Sequence, residues 1–207
     1  MQHDSIVRAA LDRIVEALDE AREALDELDA VASDGTHGQH ILAGATAARD
    51  AAAAAPEGGA VMAAAEAWSR GEGFANPLWG RMLAAASEAE PQGPAAMVDS
   101  ALRVLEASTD AHVGDKSIVD TLVPALTDAH AHLARGELVA DAAAHAAGVA
   151  EEAALETAAF EDRFDASNAD LGYPDPGATS SAVILGAIAA TLADAGDDAD
   201  QQDQPGA

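Results

Sequence analysis

Side chains able to hold a metal or move a proton gather at one place in the sequence. Asp29, Asp34, His37 and His40 surround Gly35 and Gly38, with Asp26 one helical turn before Asp29. Magnesium takes hard oxygen ligands and keeps part of its water, so two or three carboxylates on a helix end and the loop behind it suit phosphate chemistry. A chain with 37 acidic residues also makes such clusters as plain solvated charge, and His37 and His40 alone would equally serve capping or packing. Gly38 before one helix and Gly177-Ala178-Thr179-Ser180 at another could turn N–H groups toward a phosphate, because a helix start leaves donors unpaired. Gly114-Asp115-Lys116-Ser117 superficially resembles a phosphate loop, but the upstream glycine and the preceding strand are missing, which excludes a Walker motif. Trp68, Phe74, Trp79 and Phe160 read as core or loop anchors rather than a base-stacking platform.

The elements that must position these groups are helices. From Ser5 the residues Val7, Leu11, Ile14, Leu18, Ala21, Leu25 and Leu28 recur in steps of four and three, which predicts a long amphipathic helix ending near Ala32. A second helix is expected from about His40 to Ala55, a third opening at Pro56 and a fourth at Pro77. Met97 to Leu105 mark a fifth, Ile118 to Leu126 a sixth in which Pro124 either sits in the first turns or makes a kink. Glu137 to Phe160 mark a seventh, and Thr179 to Leu192 the last. No strand run is visible, so the fold class is all-α, an up-and-down bundle or helical barrel in which alternate loops share an end. The domain is expected over residues 1–193, with 194–207 an acidic, solvated, disordered tail.

Composition limits the partners. The 207 residues carry 37 acids against 10 bases, a formal charge of -27, and mean hydropathy is near zero. About -0.13 charges per residue repel phosphate backbones and anionic surfaces, so neither nucleic acid nor membrane is an expected partner. Such a surface is tolerated where salt shortens the Debye length to about 3 Å, which leads to the expectation of a salt-rich cytoplasm. The absence of cysteine removes thiolate metal sites and cysteine nucleophiles, and fits a reducing compartment. Met1 to Ile6 does not read as a signal peptide, and Ala182 to Ala190 falls short of the ~20 residues of a membrane span.

Four segments then combine. Leu28-Asp29-Ala30-Val31-Ala32-Ser33-Asp34-Gly35-Thr36-His37-Gly38, Asn76-Pro77-Leu78-Trp79-Gly80, Gly114-Asp115-Lys116-Ser117 and Asp175-Pro176-Gly177-Ala178-Thr179-Ser180 occur in this order. The chain thereby resembles the nucleotide-binding L subunit of dihydroxyacetone kinases. The resemblance implies an eight-helix antiparallel barrel that holds ADP or ATP and two magnesium ions at one end. It also implies a separate substrate-binding kinase subunit carrying the covalent histidine, and phosphoryl supplied by exchangeable ATP or by a phosphotransferase-system protein. It assigns Asp29, Asp34 and Thr36 to the metal, and His37, Gly38, Gln39, His40, Ala75, Gly114, Asp175, Pro176 and Gly177 to the nucleotide. No residue of this chain is assigned a catalytic role.

The match departs from the family at four places. Thr36 stands where the third metal-binding aspartate is expected, Ala75 replaces a phosphate-contacting serine, and His40 replaces an asparagine. The phosphate-binding arginine falls at Asp162, with Arg163 adjacent. These changes leave a second expectation open, a degenerate paralogue that keeps the barrel and binds a partner without turnover.

Overall fold

The computed structural model describes residues 2–165, 167 and 169–202. Among the described residues there are eight α-helices and no strand: α1 (Gln2–Asp29), α2 (His37–Ala54), α3 (Ala60–Trp68), α4 (Ala75–Ala89), α5 (Pro94–Ser108), α6 (Ile118–Ala134), α7 (Val139–Glu156) and α8 (Pro176–Gln202). Each helix packs on its successor, and α8 returns to α1, so the eight close into a ring. Leu11, Ile14, Leu18 and Leu25 of α1 are buried, as the periodicity predicts. They meet Ile41, Leu78, Met82, Leu105, Leu122 and Ile184 in one core. Alanine does much of the close packing: Ala142, Ala146, Ala150 and Ala154 recur every fourth residue along the buried face of α7. Among the described acids Asp4, Asp120 and Asp170 are buried and Asp175 is half-buried with its carboxyl turned inward, so most of the surplus charge lies outside.

Several boundaries differ from the sequence reading. Pro56 belongs to a turn closed by Gly59 N–H to Pro56 O at 3.0 Å, and α3 starts only at Ala60. Gly58 supplies the positive φ of 79° that this turn needs. Helix α4 starts two residues before Pro77, whose missing N–H falls among the first-turn groups that have no intrahelical partner. Helix α6 runs through Pro124 without ending. Helix α8 begins at Pro176 and continues to Gln202, past the expected tail boundary at Asp194, where that carboxylate receives Arg13 Nη2 at 2.6 Å. Residues 203–207 of the expected tail lie outside the described residues. Over Pro176–Gly196, α8 is long and apolar enough to cross a membrane, more than the Ala182 to Ala190 stretch indicates. In this fold it packs on α1, α6 and α7 and contributes Ile184, Leu185 and Ala187 to the core.

Candidate functional site

The end of α1 caps the start of α2. Asp29 Oδ2 accepts the N–H groups of Thr36 at 2.9 Å and His37 at 3.2 Å, and Asp26 Oδ1 accepts that of Gln39 at 3.1 Å. Two α1 carboxylates thus serve donors that the sequence alone leaves available for a phosphate. Asp34 Oδ1 accepts from Thr36 N–H at 3.2 Å and from the Thr36 hydroxyl at 2.5 Å. Those bonds, with the neighbouring Asp29 carboxyl, hold the Asp34 carboxyl below the usual carboxylate range. Gly38 is set by packing, since a Cβ there would collide with the Arg22 carbonyl oxygen of α1.

His37 spans the ring. Its Nε2 lies 2.9 Å from Ser180 Oγ on α8, and that hydroxyl in turn donates to Gly177 O at 3.1 Å. The single hydroxyl proton is then committed, so His37 Nε2 carries the donor. Burial pushes the His37 imidazole below its ordinary value, leaving it neutral at pH 7. His40 points to the α3–α4 loop, with Nε2 at 3.2 Å from Glu72 Oε2 and Nδ1 at 3.4 Å from Thr36 Oγ1.

Asn76 locks that loop. Its Nδ2 donates to His40 O at 2.8 Å and Glu72 O at 2.6 Å, while Oδ1 accepts Trp68 Nε1 at 2.9 Å. Gly44 of α2 has no room for a side chain because Asn76 fills the space. Ala75, the first residue of α4, places its methyl group in the core, so only its backbone is left for a ligand.

The α5–α6 and α7–α8 segments are joined by a buried cation. Lys116, at φ 59°, donates from Nζ to the carbonyls of Thr157 at 3.0 Å, Asp170 at 3.0 Å and Tyr173 at 2.8 Å. Asp170 Oδ2 pairs with the same ammonium at 3.5 Å. Nearby, Asp120 closes a capping box with Ser117 and accepts Gly114 N–H at 2.5 Å. Arg163 is turned to the α5–α6 loop. Its Nη1 donates to Asp110 O at 2.7 Å and Asp115 Oδ2 at 2.7 Å, which spends it on the α5–α6 loop.

Asp175 starts α8. Its backbone N–H donates to Thr157 Oγ1 at 2.8 Å and its Oδ1 accepts Ala178 N–H at 2.6 Å, with Pro176 in the helix's first position. Burial pushes the Asp175 carboxyl up to about 7, with the Asp120 charge adding to the rise against the helix bond and the Lys116 charge. A Cβ on Gly177 would stand 3.1 Å from Asp175 Oδ1 and 3.4 Å from Ile118 Cβ, so the starts of α6 and α8 lie against each other.

Four loops therefore converge at one end of the ring. His37–Ser180 joins the first to the fourth, His40–Glu72 the first to the second, and Lys116–Thr157 the third to the fourth. The residues assigned from sequence lie on these loops or the helix starts they lead to, except Asp29, which ends α1. Phe74, Val113, Phe164, Leu171 and Tyr173 are exposed on the last three of them. Nothing in the sequence marks Lys116, Asn76 and Ser180 as the side chains that build the site. Lysine in a rejected phosphate-loop look-alike gives no signal of burial, because its three acceptors are backbone carbonyls that any sequence supplies.

An all-helical ring with an acidic, glycine-marked rim is the class this geometry defines. The model of the DAK2 domain matches residues 31–190, and the chain belongs to that family. It is 34% identical over 201 residues to a D-erythrulose kinase of Mycolicibacterium smegmatis, covering 89% of this chain and 35% of that protein. It is 31% identical over 211 residues to an L-erythrulose kinase of Pectobacterium atrosepticum, with the same shares of 89% and 35%. The chain thus spans about a third of the length of these relatives. The dihydroxyacetone kinase of C. freundii superposes with TM-score 0.68 at 23% identity in its native form, over 90% of this chain and 34% of that one. Its complex with AMP-PNP and Mg2+ does so with TM-score 0.68 at 22% identity, again over 90% and 34%. At that identity the likeness establishes the fold.

Proposed function

We propose that the chain is the part of a ketose kinase that holds the phosphoryl donor, an adenine nucleotide with magnesium, at the rim formed by the starts of α2, α4, α6 and α8. The observation that carries this reading is the convergence of Asp29, Asp34 and the four loops on one end. Support comes from the relatives named as erythrulose kinases and from the neighbour solved with AMP-PNP and Mg2+.

The donor set suits magnesium. Asp29 and Asp34 offer hard carboxylate oxygens on the same short loop, a donor type that magnesium takes. When bound, magnesium neutralises charge on the polyphosphate. Thr36, whose hydroxyl is held by Asp34, orients that carboxylate, which suits one ion better than two. Around it His37 is a neutral imidazole whose N–H is committed to Ser180, which fixes the ring at the rim, and Asp175 to Gly177 border the nucleotide from the α8 side.

The ketose, of the three- or four-carbon kind named for the relatives, is held by a separate substrate-binding subunit or domain. It meets the exposed Phe74, Val113, Phe164, Leu171 and Tyr173 around the rim. The donor is exchangeable ATP or a resident ADP recharged by a phosphotransferase-system protein, in the cytoplasm. A second reading is favoured by Thr36, Ala75 and the spent Arg163: a barrel that binds nucleotide or partner without transfer.

Calorimetry with ADP and magnesium in molar KCl tests the first reading, and absence of binding would sink it. Binding without transfer to dihydroxyacetone or erythrulose beside the substrate-binding partner establishes the second.

A further inference from the structure

At the far end of α6 from the nucleotide rim, Asp128 and His132 lie one turn apart on the same face, and His145 comes across from α7. One ligand atom from each of the three lies within 4.8 Å of the others. By the helical rise of ~1.5 Å per residue, His132 is roughly 20 Å from the α6 start, so this cluster is separate from the Asp29 loops.

The bonds around His132 decide what it can do. Its Nδ1 is 2.6 Å from Glu137 Oε2, and Arg135 Nε holds the other oxygen of Glu137 at 2.8 Å. An acceptor on that side puts the ring proton on Nδ1 and leaves a lone pair on Nε2. That lone pair faces Asp128 Oδ2 at 3.6 Å, too far for a hydrogen bond. Asp128 Oδ2 is itself buried and has no hydrogen-bond partner. A cation between that nitrogen and the buried carboxylate oxygen, a proton on Nε2 or a metal ion, satisfies both, and the 3.6 Å gap leaves room for a metal. Two ligands of one tetrahedral zinc ion are ~3.3 Å apart, close to the separation seen. The carboxylate on the far ring nitrogen is the partner that metal-bound histidines ordinarily have.

We infer that Asp128, His132 and His145 form a site for a borderline transition-metal ion of the zinc class, which ties α6 to α7 across their connecting turn. Two imidazoles and one carboxylate select such an ion over magnesium, and water completes the shell. The His145 ring is stacked on His132 at 4.2 Å between centroids and 19° between planes. Because His145 is exposed, its ring turns about its side-chain bonds to bring a nitrogen edge to the metal. An open groove lined by Glu137, Asp141, His145 and Glu152 gives access.

The test uses the full chain, free of any histidine tag and stripped with chelator. It is run at pH 8 with excess Mg2+ to fill oxygen-only sites. Titration with Co2+ is expected to give the visible absorption of a four- or five-coordinate ion at one per chain, displaced by Zn2+. Saturating Zn2+ is expected to raise Tm by ~5 °C or more. His145→Ala, a surface change, should keep full helicity yet lose at least ~tenfold in Zn2+ affinity along with the Tm shift. Glu137→Gln should weaken binding by roughly tenfold through the ring orientation alone. A six-coordinate Co2+ spectrum, or Zn2+ affinity unchanged in both His132→Ala and His145→Ala, would overturn the inference.

Discussion

His37 on α2 and Ser180 on α8, 143 residues apart, share a 2.9 Å hydrogen bond that fixes two helix starts against one another. Ser180 is fully buried, and the bond connects the acidic loop to the Asp175 segment. Ser180→Ala leaves the half-buried imidazole without this partner and should cost about 1–3 kcal/mol in urea unfolding. Nucleotide affinity should fall with it. The imidazole's ordinary value is lowered in the fold by burial, so it binds its proton more readily when unfolded. Its contribution is accordingly full above the ordinary histidine range and fades as pH falls through and below it.

Asp175 has the opposite sign. Its carboxyl is raised from 3.8 to about 7, so the fold holds this proton more tightly than the unfolded chain does. The resulting stabilisation is complete below pH ~4 and is lost as pH rises through ~7. Asp175→Asn fixes the neutral form, so urea midpoints of the variant should lack the part of the wild-type decline between about pH 4 and pH 7 that comes from this group. Identical pH profiles for the two proteins would show that this carboxyl ionises freely in the fold.

The ring of helices was legible because each helix writes its buried face in steps of three and four, as Leu11, Ile14, Leu18 and Leu25 do. The boundaries were not, because they depend on groups distant in sequence. The start of α2 at His37 rather than His40 depends on Asp26 and Asp29 reaching its N–H groups. The start of α8 at Pro176 depends on Asp175 closing back on Ala178. At the site, residue types located the acidic loop and the Asp-Pro-Gly turn. The dual use of Thr36, the burial of Lys116 and the diversion of Arg163 to Asp115 emerge only once the loops converge.

Thr36 now hydrogen bonds to Asp34 instead of adding a charge beside it. Thr36→Asp places a third carboxylate on the loop and should strengthen binding of magnesium nucleotide, read by calorimetry with and without Mg2+. In the absence of the metal the same variant should be less stable, since three like charges then repel. An affinity that does not move would separate position 36 from the metal.

Lys116 satisfies three buried carbonyls at once, and the carbonyls belong to the segment that delivers Asp175. Lys116→Met keeps the length of the side chain but strands those acceptors and the Asp170 charge. The loss should be about 3–5 kcal/mol, measured by denaturant unfolding. Hydrogen exchange in residues 157–175 should rise first. A variant as stable as the wild type would mean that water or another donor replaces the ammonium.

The exterior sets the last expectation. A formal charge of -27 on a ring whose acids are nearly all solvent-facing makes self-repulsion the main electrostatic term against the fold. At 0.1 M salt the Debye length of ~10 Å lets charges on neighbouring helices interact, whereas at 1 M it is ~3 Å and each acid is screened from the next. The small alanine side chains that line the buried faces of α2 and α7 bury little apolar area per residue, which leaves less to oppose that repulsion. Helicity and the melting midpoint should therefore climb steeply between millimolar and molar KCl in circular dichroism. Full helicity with cooperative melting at millimolar salt would show that the alanine packing suffices by itself.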